Sequence, residues 1–471
     1  MTQDAKELDP ELEQEAPLKD QFAALIESGD KLAIQEFLND QNISDVAALI
    51  DEFPDYASQI LASMSMHRAV GVFKILDIPT QKQIIRELPP NKTAELLNEL
   101  PADDRTSFLE ELPSNAVREL IKLLNPEERK VTLSLLGYPE NSIGRLMTPN
   151  YVYVYPHNTV EEAFATIRKF GKNSETINVI YVIDENGVLI DDIRIRDLIL
   201  APPDKKIEEL IDGRRFVALH PEDDQETANE VFKMNNRDAL PVVSKSNKLL
   251  GIVTIDDVLW VANEEFSEDM QKMGGTEALD EPYIETPIFK LFKKRVVWLI
   301  ILFFGELMTI TAMSSYEDEI AKVVILATFI PLIISSGGNS GSQASTLIIQ
   351  AMALGEITIS DWWRIMRREI MSGLLLGTAL CIIGFSVITV WHFLTPKFGE
   401  HYLRIGLTVG CSLIGIVLWG TLMGSMLPLI LKRLGADPAA SSTPFVATLV
   451  DVTGLLIYFS MAYLFLKGVL L

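Results

Sequence analysis

The chain has 471 residues, enough for two or three domains, and carries 65 acids against 41 Lys and Arg for a net charge of −24. The charge is uneven: residues 1–286 hold 55 acids and 28 bases, whereas residues 287–471 hold 10 acids and 13 bases. So acidic a first part repels phosphate, which argues against nucleic acid as a partner and favours cations. Cys381 and Cys411 both lie in apolar runs and the five histidines show no ligand spacing, so neither a disulfide framework nor a soft-metal site is readable. Carboxylates and carbonyls suit hard cations such as Mg²⁺ and Ca²⁺.

Residues 1–20 are charge-rich and read as a disordered acidic tail with no apolar signal segment, so residues 1–290 are expected to stay in the cytosol. From 21 to 140 the pattern is helical. Prolines follow short apolar stretches at Pro79, Pro89, Pro101, Pro113, Pro126 and Pro139, and proline suits the first turn of a helix because its missing N–H would be unpaired there anyway. The expectation is a right-angled stack of short helices forming a small superhelical repeat, or an ordinary helical bundle with proline caps.

From about 141 the texture becomes α+β. YVYVYP and INVIYVIDENGVLI are β-rich around a turn at Glu185-Asn186-Gly187, and TVEEAFATIRKF is an amphipathic helix. The order recurs in FVALHPED, TANEVFKMN and LPVVSKSNKLLGIVTIDDVL, so each copy reads strand, helix, strand, strand, helix. The tandem, placed at 141–203 and 204–262, resembles a pair of cystathionine-β-synthase (CBS) domains. The second copy matches well, at Leu240-Pro241-Val242-Val243 and from Gly251 to Asp257. The first is degenerate, with Asp192 and Arg194 where a glycine and a Ser or Thr are usual. Residues 263–290 read as a linking (plug) helix and loop, and Lys293, Lys294 and Arg295 among aromatics read as an interfacial anchor.

Residues 291–471 form a transmembrane domain with five apolar segments long enough to span, at about 296–316, 321–346, 368–392, 404–431 and 444–466. Basic residues cluster at Lys293–Arg295, Arg364/Arg367/Arg368 and Lys432/Arg433, and the other ends carry Glu317–Glu319 and Lys397–Glu400. The positive-inside rule therefore puts the long N-terminal part inside.

Two acids, Glu306 and Asp451, are stranded inside spans with no Lys or Arg nearby in sequence, at a cost of about 2.5–3.5 kcal/mol each on the insertion scale. An unpaired intramembrane acid is a functional site by default, with a cation as its natural partner; the plain alternative is a protonated acid hydrogen-bonded between helices. Pro444 precedes Asp451 and Gly454 follows it, placing the acid one or two turns inside a helix. Residues 323–355 carry no charge, yet 333–345 read IISSGGNSGSQAS. Irregular backbone at membrane depth survives only where it lines water or is buried in protein, and glycines free carbonyls to face a pathway. If the stretch is helical, Asn339 and Gln343 share a face that can hold a hydrated ion; small residues for close helix packing are the compatible alternative.

These marks together, above all GGNSGSQ at 337–343 and PFVATLVDVTG at 444–454, resemble the MgtE-type magnesium channel family from about residue 20 to the end. The resemblance implies a homodimer in the plasma (inner) membrane with its pore on the two-fold axis. Asp451 of each subunit would be the pore aspartate and Ala447 would offer a backbone carbonyl. It further implies that cytosolic Mg²⁺ closes the pore by binding acidic soluble faces. Glu226, Asp257, Glu265, Glu268 and Asp269 match such sensor positions, whereas Asn236 and Trp260 stand where acids are expected, which implies a weaker sensor; simple solubility is the alternative for any one acid. CBS pairs often bind adenine nucleotides through a Thr or Ser and an Asp. Thr254 and Asp257 fit in the second copy and only Asp197 in the first, which makes ATP a candidate ligand. The expected function is a Mg²⁺-selective channel or facilitator. The rivals are a less selective Mn²⁺ or Co²⁺ transporter and a nucleotide-sensing membrane regulator. No nucleophile–base pair, phosphate loop or catalytic metal motif suggests an enzyme.

Overall fold

A computed structural model describes residues 17–467 apart from 212, 214, 215, 280, 285, 318–322 and 395–398. The expected tail up to residue 16, the acids at 318 and 319 and Lys397 lie outside the described residues. The chain forms two compact units, residues 1–261 and 262–471.

The first unit opens with short helices from Leu18–Ser28 to Pro126–Leu135, most of them nine to eleven residues long. Most of the expected prolines punctuate them: Pro79 and Pro126 sit in first turns, Pro89, Pro101 and Pro113 immediately precede Pro90–Glu99, Ala102–Glu110 and Ser114–Leu123, and only Pro139 starts no helix. Their apolar faces share a core around Phe22, Leu38, Ile50, Phe73, Ile84, Leu96 and Leu97. Arg105 is fully buried beneath it. Its guanidinium donates to Thr132 Oγ1 at 2.8 Å and to the carbonyls of Leu97 and Leu100 at 3.0 and 3.2 Å, and it pairs with Glu128. A buried arginine with this many acceptors fixes the helix that carries it.

The first CBS copy has the expected order. Strand β1 (Tyr153–Val154) runs parallel to β2 (Val179–Ile183), which pairs antiparallel with β3 (Leu189–Arg194); the helices Val160–Phe170 and Ile195–Leu200 flank them. The hairpin turn is where the Glu-Asn-Gly sequence placed it: Asp184 accepts from the N–H groups of Asn186 and Val188 at 2.8 Å each, and Gly187 has φ +82°. The second copy keeps its helix Gln225–Asn235 and hairpin β4 (Ala239–Val243) and β5 (Leu249–Thr254). Its expected first strand is reduced to a single parallel bridge between Leu219 and Val242, because Pro221, two residues on, ends the ladder. β2 to β5 pack together through Tyr181, Ile183, Val243 and Ile252.

The degenerate Asp192 has a partner. Its carboxylate lies 6% exposed on β3 and pairs with Arg237 of the second copy. Burial pushes Asp192 up and the Arg237 guanidinium opposes that. Asn236, expected to be an acid, instead ends the Gln225–Asn235 helix in the left-handed region at φ +48°, a conformation asparagine tolerates and aspartate favours less.

The linking helix Ile255–Met273 runs from the first unit into the second. The second unit holds five helices long and apolar enough to cross a membrane: Ile288–Ser314, Val324–Ala353, Ile359–Leu394, Tyr402–Arg433 and Thr443–Leu466, hereafter the first to fifth spans. Their core joins Ile333, Val409, Leu413, Ile416, Val446, Val450 and Tyr458.

The glycine-rich stretch corrects an expectation. Ile330–Ala353 is an unbroken helix through SSGGNSGSQ. The interruption falls earlier, at Thr328 and Phe329, where Pro331 lacks the N–H that would continue the ladder. The Leu326 carbonyl there accepts from the Tyr458 hydroxyl at 2.9 Å. The glycines bring backbones together instead of freeing carbonyls. A Cβ on Gly337 would meet Ile416 at 2.3 Å, and one on Gly341 would meet Val446 at 2.9 Å and the Gly420 carbonyl at 3.0 Å.

Candidate cation pathway and acidic clusters

Ser442 starts the fifth span. Its hydroxyl accepts from Phe445 N–H at 3.4 Å and from the Trp298 indole of the first span at 2.9 Å, and Pro444 occupies the first turn. Two turns further in, Val446 and Val450 are buried against the second span while Asp451 is half-buried. Gly338 lies opposite: a Cβ there would be 3.5 Å from the Ala447 Cβ and 3.7 Å from Asp451 Oδ1. Ala447 and Asp451 thus stand one turn apart beside a backbone with no side chain between. Asn339 and Gln343 occupy an exposed face of the second span. Asn339 donates weakly to Ser335 Oγ at 3.4 Å, and Gln343 lines an open recess with Ser342, Thr346 and Leu347. Neither amide donates to the Asp451 carboxylate among the described residues. Glu306 is exposed on the first span, within hydrogen-bonding reach of Asp451.

The expected sensor acids divide into two groups. Asp257 belongs to the first unit. Thr254 Oγ1 donates to its Oδ2 at 2.8 Å, and the charges acting on it come from Asp256 and, in the helical domain, from Asp104 and the opposing Lys74. Burial first, then Asp256 and Asp104 against the Thr254 hydrogen bond, push Asp257 up to about 7. Asp103 is 5% exposed, no hydrogen-bond donor among the described residues reaches its Oδ1, and burial with Asp257, Asp104 and Glu175 holds it well above the usual carboxylate range. Lys74 pairs with Asp104 at 2.9 Å; burial opposes its charge, but Asp104, Glu175 and Asp103 outweigh that and hold it above the usual lysine value. Asp103, Asp104, Glu175 and Asp256 were not singled out from the sequence. The only local signal was a pair of acids in the first turn after Pro101, which also has an ordinary reading as helix-dipole chemistry. Glu226 stands exposed at the start of Gln225–Asn235, outside this buried cluster.

Glu265, Glu268 and Asp269 belong to the second unit. There Lys272 pairs with Glu268 and, at 2.6 Å, with Asp437 between the fourth and fifth spans. Burial, then Asp437, with Glu265 and Glu268, push Asp269 up to about 6 against Lys272. Gly275, at φ +75°, follows the linking helix; a Cβ there would strike Trp298 at 2.7 Å and come within 3.3 Å of Pro444. Trp260 is 63% exposed. Among the described residues no three His, Cys, Asp or Glu side chains converge as a closed metal-ligating set.

Thr254 is buried and hydrogen-bonded to Asp257, which shares its surroundings with Asp104 and Lys74. Asp197 of the first copy is exposed.

Five spans, a carboxylate within a span facing a side-chain-free backbone and an acidic first unit define a polytopic membrane protein of the cation-transport class. A family profile described as MgtE, divalent cation transporter, matches residues 330–461, one described as the MgtE intracellular N domain matches 18–141, and the CBS domain profile matches 143–204 and 207–264. The magnesium transporter MgtE of Thermus thermophilus is 38% identical over 459 residues, covering 94% of this chain and 97% of the relative. The chain belongs to the MgtE family of divalent-cation transporters, a family of transporters and not of enzymes. The magnesium transporter MgtE of Bacillus subtilis is 29% identical over 425 residues, 90% of this chain and 92% of that one. A crystal structure of the cytosolic domain of the Mg²⁺ channel MgtE in complex with ATP is 33% identical, covers 52% of this chain and 99% of its own, and superposes with a TM-score of 0.49.

Proposed function

We propose that the chain is a Mg²⁺-selective channel or facilitator of the plasma membrane. It works as a homodimer with its N-terminal part in the cytosol and is closed by cytosolic Mg²⁺. The observation that carries the ion pathway is Asp451: a half-buried carboxylate two turns inside an apolar span, opposite Gly338 and one turn from Ala447. Mg²⁺ dehydrates reluctantly and keeps several waters. A pair of Asp451 carboxylates across a two-fold axis holds the ion through those waters, with the Ala447 carbonyl and the Asn339 and Gln343 amides as further water partners. The membrane potential drives entry, a divalent ion gaining about 4.6 kcal/mol per 100 mV.

Closure rests on the two acidic groups. At the first, the unmatched Oδ1 of Asp103 beside Asp257 is a buried acceptor asking for a cation. At the second, Asp269, Glu268 and Asp437 crowd the end of the linking helix, and Gly275 joins that helix to Trp298 and Pro444 at the mouth of the fifth span. A divalent ion at either place removes like-charge repulsion and favours the compact arrangement; binding only that form stabilises it by about 2.7 kcal/mol at a hundredfold excess over Kd. The relatives named as magnesium transporters support Mg²⁺ over Mn²⁺ or Co²⁺ as cargo. A regulator carrying no ion has no use for Asp451. ATP is the candidate nucleotide, with Thr254 and Asp257 of the second copy and the exposed Asp197 of the first as the residues that would meet it. Growth of a Mg²⁺-uptake-deficient cell tests the reading: the wild-type chain restores growth in low Mg²⁺ and Asp451→Asn does not. Equal rescue by both would remove Asp451 from the pathway.

A further inference from the structure

We propose that Glu306 is a second carboxylate of the cation pathway, acting with Asp451 on the hydrated divalent ion and widening the preference for divalent over monovalent cations. The proposal rests on the assignment of Asp451 to the pore.

Glu306 lies about two-thirds of the way along the first span, and its side chain is exposed. A carboxylate pointing into hydrocarbon is expensive, so such a group faces protein or a water-filled path. Its place is built rather than incidental. Gly305, its neighbour, is pressed against the fifth span: a Cβ there would fall 2.5 Å from Thr448 Cγ2. Without a side chain at 305 the first span closes on the fifth, and the Glu306 carboxyl comes within hydrogen-bonding reach of Asp451. Thr448, one turn before Asp451, donates its hydroxyl to the Pro444 carbonyl at 3.0 Å and presents its methyl to Gly305. Among the described residues neither acid has a Lys or Arg partner in an ion pair. Two adjoining intramembrane carboxyls without a protein cation call for one from solution.

The charge matters for selectivity. Each added carboxylate attracts a divalent ion twice as strongly as a monovalent one, so a second acid per protomer favours Mg²⁺ over Na⁺ without stripping its waters. The competing role is positional, in which Glu306 is only a hydrogen-bond donor that fixes the Asp451 rotamer. Glu306→Gln keeps shape and donor and removes the charge, so it separates the two.

The experiment uses full-length protein in proteoliposomes with an internal Mg²⁺ indicator, read across external Mg²⁺ concentrations with and without Na⁺. For Glu306→Gln, the Mg²⁺ concentration giving half-maximal flux should rise about tenfold, the size expected of one unit charge about 6 Å from a divalent ion across water, and Na⁺ should compete more strongly. Glu306→Asp, which keeps the charge, should stay near wild type in Na⁺ competition. If the Gln variant does not insert and fold, Glu306→Ala reads the same quantity. Wild-type concentration dependence and wild-type Na⁺ competition in the uncharged variant would overturn the proposal while leaving Asp451 in place. Wild-type flux in Asp451→Asn would overturn the pore assignment itself.

Discussion

A Cβ placed on Gly424 would fall 2.0 Å from the carbonyl oxygen of Gly341, so the second and fourth spans touch backbone to backbone at this point. Gly420 repeats the relationship one turn earlier, 2.4 Å from the Gly337 carbonyl. The second span is held here in the orientation that sets Gly338 against Asp451.

Gly424→Ala should therefore be costly. Overpacking of a core costs about 1–3 kcal/mol, and a clash with backbone leaves no side chain to yield. Thermal unfolding in detergent should shift down by several degrees or the protein should fail to accumulate. Gly454→Ala is the control, since its Cβ would meet only Ile416 at 3.5 Å, an ordinary contact. Equal stability of the two variants would mean the spans pack differently.

The Asp192–Arg237 pair joins the two CBS copies with one partner almost fully buried. Removing one member strands the other, so Arg237→Ala should destabilise by about 3 kcal/mol. Asp192→Gly combined with Arg237→Ala should recover much of that loss. A double-mutant cycle on chemical unfolding measures the coupling, and additive effects would show that the pair contributes nothing of its own.

The Asp103–Asp257 cluster should make the first unit pH-sensitive. Both folded pKa values lie above the usual 3.8, Asp257 near 7. Stability from these protons is fully present below the usual value and is lost as pH climbs through the folded one. Without divalent ions, backbone hydrogen exchange in 102–110 should quicken, beyond its intrinsic pH dependence, between about pH 5.5 and about pH 8, and millimolar Mg²⁺ should reverse this at the higher pH. The same protection with Mg²⁺ as with NaCl of equal ionic strength would reduce the cluster to a solubility feature.

Lys272 ties Glu268 to Asp437. Lys272→Gln leaves three acids, including Asp269, to repel one another without a resident cation. The internal Mg²⁺ needed to stop flux should rise several-fold, measured in vesicles loaded at graded Mg²⁺. An unchanged threshold would place the gate away from this contact.

The sequence is informative where the cost is local. Five long apolar lengths reveal the spans, and Asp451 and Glu306 are conspicuous because an acid inside a span has few excuses. The Asn-Gly turn at 186–187 and the proline-led helices are written in single residues. What depends on a distant partner is less visible. GGNSGSQ suggests a broken helix until Gly420 and Gly424, some eighty residues on, supply the surface the glycines fit. Asp103 looks like a helix-start acid until the fold sets it beside Asp257, and Asn236 looks like a lost ligand until its φ of +48° shows a helix cap.

The central claim is that Asp451 lies on the path of the ion. Mg²⁺ influx into proteoliposomes, measured for wild type and Asp451→Asn at matched amounts of folded protein and an imposed inside-negative potential, tests it most directly. The account predicts strong flux for the wild-type chain and a loss of at least tenfold for the variant, the size of about 1.4 kcal/mol of lost attraction. Flux through Asp451→Asn at the wild-type rate would contradict it.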